Sequence, residues 1–250
     1  MSAIESIQYA PAEAFLNPEG AILREPEQVE RALALLWEKA RPVGPDNGGR
    51  RSVSRVCVAN LIVVAHIQEW NSVSATLGEM SQAYPTRTIV LLIDPEQPAD
   101  QQSEGIRASV SALCYLSQPD SPQACCDQII LRIGGEAVRN LDRILLSLVE
   151  SDIPIVAWWL FDPARAPRLF EFVDNNMDRL VLDAGAAGLR HPHPSGRCSI
   201  RELGWYRTAR WRELLAGMFD EVPQSVIRGI DRVSLIVDGS LLQHRLDALW

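Results

Sequence analysis

The chain predicts an α/β fold: a three-layer, mixed but mostly parallel sheet with helices on both faces, plus a second, smaller α/β lobe. Three observations lead there. Short apolar runs rich in branched residues alternate with segments of helical period. The run IPIVAWWL at 153–160 is apolar at successive positions, which suits a strand buried on both faces. Gly, Pro, Asn and Asp gather where one pattern gives way to the next.

The elements follow in order. Residues 26–41, PEQVERALALLWEKAR, set Val29, Ala32, Leu33, Leu36 and Trp37 on one helical face, and RPVGPDNGGRR at 41–51 reads as an exposed linker. Residues 53–65 read as a strand, 69–82 as a polar helix, 88–94 as a strand and 95–105 as a loop. Two further strands, 109–116 and 127–133, are joined by SQPDSPQACC with no helix between them, so they are expected to pair antiparallel. Residues 137–150 hold Val138, Leu141, Ile144, Leu145 and Leu148 in helical phase and feed the 153–160 strand, and 180–183 repeats the step. The stretch 184–201, AGAAGLRHPHPSGRCSIR, breaks periodicity and is the expected hinge between core and second lobe. Beyond it, WYRTARWRELLAGMF at 205–219 reads as an amphipathic helix with Trp211 among its core residues and Arg207 and Arg210 off the apolar stripe. A strand at 233–237 and a helix from 240 complete the pattern, which divides as 1–51, 52–185 and 186–250.

At 250 residues, 47% hydrophobic and 22% charged, the chain is long enough for one large or two modest cores. A net charge of -8 and a pI of about 5.1 argue against general nucleic-acid or anionic-membrane binding. No apolar run approaches the roughly 20 residues of a bilayer span, and the N-terminus lacks the features of a signal peptide, so a cytoplasmic protein is expected. Five cysteines without metal-finger spacing fit a reducing compartment.

Catalytic signatures are missing. Neither Gly-rich nucleotide fingerprint occurs, and Gly134-Gly135 reads as a strand-to-helix turn. HPHPSGRC at 191–198 lacks a fourth ligand and a zinc spacing, and His66 beside an apolar run reads as a structural histidine without a nucleophile elbow. No catalytic residue, cofactor or metal is therefore expected. The cysteines divide into two groups. Cys57 and Cys114 sit in apolar strand-like runs, whereas Cys125, Cys126 and Cys198 lie in or beside polar loops and are the redox candidates.

Four of the seven tryptophans stand in two clusters: Trp158 and Trp159 at the end of IPIVAWWL, Trp205 and Trp211 beside Arg207, Arg210 and Arg212. Arg and Trp are enriched at interface hot spots, so Trp158, Trp159, Trp205, Arg207, Arg210 and Arg212 are the candidate partner-binding residues. Period two sends Trp158 and Trp159 to opposite faces of the sheet.

The ordered set of a strand ending in Trp-Trp, an acidic Pro-containing loop, a helix, RLVLDAG and L-x-W-x-R-x-x-x-W-R-x-L-L-A at 203–216 resembles the OpcA family, the glucose-6-phosphate dehydrogenase assembly proteins. RVCVANLIVVA, with Arg55, Asn60 and Leu61, and RTIVLLID at 87–94 are similar too. The resemblance implies a non-catalytic factor that binds glucose-6-phosphate dehydrogenase and promotes its active oligomeric state; redox control in photosynthetic members of the family adds to the reading of Cys125-Cys126, whose adjacent thiols can exchange with a thioredoxin-like reductant. It also implies further α/β structure after the 240–250 helix, so the chain is expected to be a short member or a fragment. The alternative is a small-molecule-binding α/β protein or degenerate enzyme acting on a sugar phosphate or nucleotide, with its site near 159–162 and Asp183.

Overall fold

A computed structural model describes residues 21–40, 53–94, 106–116, 123–134, 141–183 and 198–232. Among these, nine strands make one sheet: β1 (Ala21–Leu23), β2 (Val53–Arg55), β3 (Ala59–His66), β4 (Thr86–Asp94), β5 (Ile106–Leu116), β6 (Gln123–Gly134), β7 (Ile155–Trp159), β8 (Arg179–Leu182) and β9 (Ser199–Glu202). Their order is β1-β5-β6-β4-β3-β7-β8-β9, with β2 pairing on β6. Only β1/β5 and β5/β6 are antiparallel, the latter as the helix-free connection predicts.

Residues of β3 and β4 serve two cores because alternate side chains leave opposite faces. Ile62, Val64, Ile89 and Leu91 join one core with Val29 and Leu33 of α1 (Glu27–Ala40), Leu141, Leu145 and Leu148 of α3 (Leu141–Leu148), and Leu169 and Val173 of α4 (Pro167–Asn176). Leu61, Val63, Ala65, Val90 and Leu92 join the other with Val73 and Leu77 of α2 (Trp70–Ala83). Each buried Leu, Ile or Val side chain stabilises the fold by about 1.5–3 kcal/mol relative to exposure. The result is the predicted three-layer α/β arrangement.

The crossover β3–α2–β4 moves along the sheet one way, whereas β6–α3–β7 and β7–α4–β8 move the other. Right-handed crossovers of opposite direction set their helices on opposite faces, so the topological switch falls between β3 and β7. Asp152 enters β7 at φ 67, a left-handed conformation that Asp tolerates better than most residues.

Three elements differ from expectation. The single strand predicted over 53–65 is split: β2 pairs with β6, Val56 N–H donates to Cys125 O, and Val58 N–H donates to Pro85 O before β3 takes its place beside β4. Strand β6 starts at Gln123 because its first residues pair with β2 and β5, which takes Cys125 and Cys126 out of the predicted loop. The amphipathic helix is broken into α5 (Leu203–Arg207) and α6 (Ala209–Phe219), followed by α7 (Gln224–Ile227). Strand β9 continues the sheet past residue 185 by pairing with β8. The linker at 41–51, the loop at 95–105, the first four residues of the predicted 137–150 helix, the imidazoles of HPHPSGRC, the strand at 233–237 and the helix from 240 lie outside the described residues, wholly or in large part.

Candidate functional site

The aromatic and arginine residues of α5 and α6 form a ledge at the β9 edge of the sheet. Glu202 caps α5 by accepting from Gly204 N–H at 3.0 Å, and Thr208 separates the two helices, its hydroxyl directed to Gly204 O and Trp205 O. The Arg212 guanidinium reaches back across that break, donates to Trp205 O and to Thr208 Oγ1, and lies 3.5 Å from the centre of the Trp205 ring. Cation–π stacking and two hydrogen bonds thus hold Trp205 and Arg212 as one unit. Trp205 and Tyr206 remain exposed at 46% and 55%. Arg210 is exposed with no ion-pair partner among the described residues, whereas Arg207 pairs with the buried Asp183 and so ties α5 to the end of β8.

Trp158 and Trp159 separate as period two requires. Trp159 is fully buried, meets Phe170 edge-on at 5.0 Å and donates its indole N–H to Phe161 O. It is a core residue, unavailable to a partner, because the α1, α3 and α4 layer covers that face. Trp158 packs beside the α2 core, half-buried, with its Nε1 enclosed and without a hydrogen-bond partner among the described residues. Trp211, predicted as core, is 68% exposed, since nothing among the described residues covers its side of α6.

Beside the switch point, at or just after the ends of β3 and β7, stand His66, Glu69, Phe161 and Asp162. His66 Nδ1 accepts from Gln68 N–H, Glu69 accepts from His66 N–H, and Asp162 accepts from Ala164 N–H at 2.9 Å. Phe161 stacks on His66 at 6.3 Å and carries the Arg165 guanidinium 5.7 Å above its ring. His66, Glu69 and Asp162 thus serve local caps, while the Arg165 guanidinium is held over the Phe161 ring. Among the described residues no group of three or more His, Cys, Asp or Glu could hold a metal, and no helix is long and apolar enough to cross a membrane.

A buried ionic network was missed by the sequence reading. Arg87, at the start of β4, has its side chain 2% exposed and meets Glu30 of α1, Asp127 of β6 at 3.0 Å and Glu150 at 2.9 Å. Asp127 also accepts from Arg55 Nη2 at 2.5 Å and from Trp37 Nε1 at 2.8 Å. Burial disfavours the Arg55 cation, but Asp127 and Glu150 outweigh it and raise its pKa. Asn60 closes the ring by exchanging two hydrogen bonds with the Glu150 backbone. The sequence carries only a faint signal, since Arg87 and Asp127 stand among polar neighbours ahead of the apolar stretches IVLLI and IILRI, and only pairing of the strands buries them.

The cysteines are arranged differently from expectation. Cys114 and Cys125, directly opposed on β5 and β6, are joined as a disulfide, so Cys114 is not a free thiol. Cys126 and Cys198 are buried rather than looped out. Burial, reinforced by Cys57 and Asp127, pushes the Cys126 thiol up to about 12. Burial and the hydrogen bond to Asp174 do the same for Cys198. Cys57 is half-buried and raised by burial as well.

Residues 78–195 match the family model described as glucose-6-phosphate dehydrogenase subunit N-terminal domain, a stretch that runs from within α2 through β8 and stops short of the α5–α6 ledge. The chain is 26% identical over 176 residues to OpcA of Synechocystis sp., and 26% identical over 168 residues to OpcA of Nostoc punctiforme; their names attach both to the OxPP cycle. These alignments take in 65% and 63% of this chain and 35% of each relative, so the chain spans about a third of the length of the curated relatives it matches.

Proposed function

We propose, for a chain whose central portion belongs to the OpcA, glucose-6-phosphate dehydrogenase assembly family, that it binds glucose-6-phosphate dehydrogenase and promotes its active oligomeric state in the cytoplasm. The supporting observation is the ledge of Trp205, Tyr206, Arg210 and Arg212. It is exposed, held rigid by the Arg212 clamp, and made of the residue types that dominate interface energetics. A preordered ledge loses little side-chain freedom on docking. Activation then needs only that the ledge bind the active form of the dehydrogenase more tightly than the inactive form, with no chemistry of its own.

The redox-responsive part of this proposal rests on the Cys114–Cys125 pair, with a thioredoxin-like reductant as its second partner. Cys126 and Cys198 are poor candidates for attack, since their buried thiols stay protonated at neutral pH.

The experiment is surface capture of the cognate dehydrogenase by wild type, Trp205→Ala and Arg210→Glu proteins, with dehydrogenase activity followed alongside. Wild type is expected to bind and to raise activity, and each variant to bind at least tenfold more weakly. Capture that is equal for all three would move the interface elsewhere. No capture together with thermal stabilisation by a sugar phosphate would favour the small-molecule reading.

A further inference from the structure

Helix α6 buries none of its residues. Its face of Trp211, Leu214, Leu215 and Met218, at three- and four-residue spacing, is exposed at 68%, 64%, 52% and 71%, and Val226, Ile227 and Ile230 follow it into solvent. An 11-residue helix is marginal alone in water, and an exposed apolar patch of this kind marks an interaction site. We propose that its partner is a second copy of this chain, the two α6 helices packing antiparallel across a twofold axis.

The area suffices for a stable dimer. At about 200 Å² for a large apolar side chain, the exposed fractions of these residues amount to roughly 800 Å², which is what each partner contributes to an interface of standard size. A twofold contact also demands a patch that complements itself. With Leu214 and Leu215 of one helix over Leu215 and Leu214 of the other, Trp211 meets Met218 twice, once on each side of the axis. Each large ring then lies against an unbranched, adaptable thioether.

Charge fixes the direction. Arg210 and Glu221 stand on one flank of the apolar face, since the 11 positions from one to the other (221 less 210) make about three turns and Asp220 keeps helical backbone angles. Arg212 stands on the other flank. In an antiparallel pair like flanks face each other, so Arg210 of one copy, opposite Phe219, finds Glu221 of the other about 3 Å farther along the axis, within reach of its guanidinium. A parallel pair sets unlike flanks together and brings Arg210 against Arg212. Arg210 and Glu221 form no ion pair among the described residues. This inference stands apart from the dehydrogenase reading, whose ledge centres on Trp205 and Tyr206 of α5.

Sedimentation of the full 250-residue chain across a concentration series tests it. Wild type is expected to pass from the 27.8 kDa chain to twice that mass, with hydrogen exchange at 209–219 slowing in step. Leu214→Asp/Leu215→Asp should hold the protein at the monomer mass and leave exchange in β3 peptides unchanged, since both leucines are exposed. Glu221→Arg should weaken the dimer about tenfold, because two pairs are lost in each dimer, and Arg210→Glu/Glu221→Arg should restore it. The proposal is overturned if wild type stays monomeric throughout the series; protection of 209–219 without a dimer would make the chain its own cover. It is overturned equally by a dimer that the leucine variant leaves intact, or by a double charge reversal that dimerises no better than Glu221→Arg alone.

Discussion

Replacing Arg87 by Met removes the cation at the centre of the buried network while roughly keeping side-chain volume. The Asp127 carboxylate, on a side chain 1% exposed, then keeps only Arg55 and Trp37, and Glu30 of α1 loses its bond to the sheet. Removing one partner of a buried ion pair costs about 3–5 kcal/mol, because the remaining charge cannot return to water. Arg55 stays at 2.5 Å from Asp127 but is itself 44% exposed, so the compensation is partial and the lower end of that range, about 3 kcal/mol, applies. For a domain of this size each kcal/mol moves Tm by about 2–4 °C, giving a fall of roughly 6–12 °C. Thermal and urea unfolding followed by circular dichroism measures it. Arg55→Met is the control, since breaking a half-exposed pair costs about 1 kcal/mol or less. Arg87→Met/Asp127→Leu should recover most of the loss, because no uncompensated buried charge remains. If Arg87→Met is no more damaging than Arg55→Met, the network does not hold the sheet and α1 together as argued.

Trp159→Ala should cost about 3–5 kcal/mol in urea unfolding, whereas Trp205→Ala, on the exposed ledge, should stay within about 1 kcal/mol while weakening capture of the dehydrogenase. Equal losses for the two would contradict their assignment to core and surface. Thiol titration of protein unfolded without reductant should count three free cysteines, since Cys114 and Cys125 of the five are bonded; a count of five would remove the disulfide. Iodoacetamide at pH 8 should label Cys57 ahead of Cys126 and Cys198 in the native protein, as their raised thiols carry almost no thiolate at that pH. The same two thiols sit near 9 when unfolded and near 12 when folded, so between those values the unfolded chain binds fewer protons and stability should fall as pH rises. If wild type loses no more stability from pH 9 to 11 than Cys126→Ala/Cys198→Ala, the two raised thiols do not carry the pH dependence.

The sequence read best where one periodicity ran unbroken. Strand β4, the core strand of β6 and the Leu141–Leu148 helix were legible because apolar spacing alone decides them. So was the opposition of Trp158 and Trp159, which follows from period two. β1 escaped notice because three residues carry no period, and the β2/β3 break because Val56–Val58 is as apolar as its surroundings while its hydrogen bonds go to two different neighbours. Cys125 and Cys126 were misread through polar neighbours, since strand pairing can extend a strand beyond its apolar run. The ledge was legible only as composition. That Arg207 belongs to Asp183 and Arg212 to Trp205 depends on the helix break at Thr208, which propensity does not mark. Arg87 and Asp127 stand 40 residues apart, each among polar neighbours at the head of an apolar run, so the sequence neither marks them as buried nor gives a means of matching them.

The position of β3 in the sheet also imposes a timetable on synthesis. One side of β3 is closed by β4, which follows within about thirty residues, but the other waits for β7, where Val64 faces Trp159. Those two positions are 95 residues apart (159 less 64), and at ribosomal rates of about 5–20 residues per second the delay is roughly 5–20 s. For that interval the nascent chain offers ANLIVVAH as an unpaired, strongly apolar edge, the kind of surface that captures strands from neighbouring chains. Ribosome pausing between residues 66 and 155 should therefore lower soluble yield more than pausing after residue 182, once β8 has completed its pairing with β7.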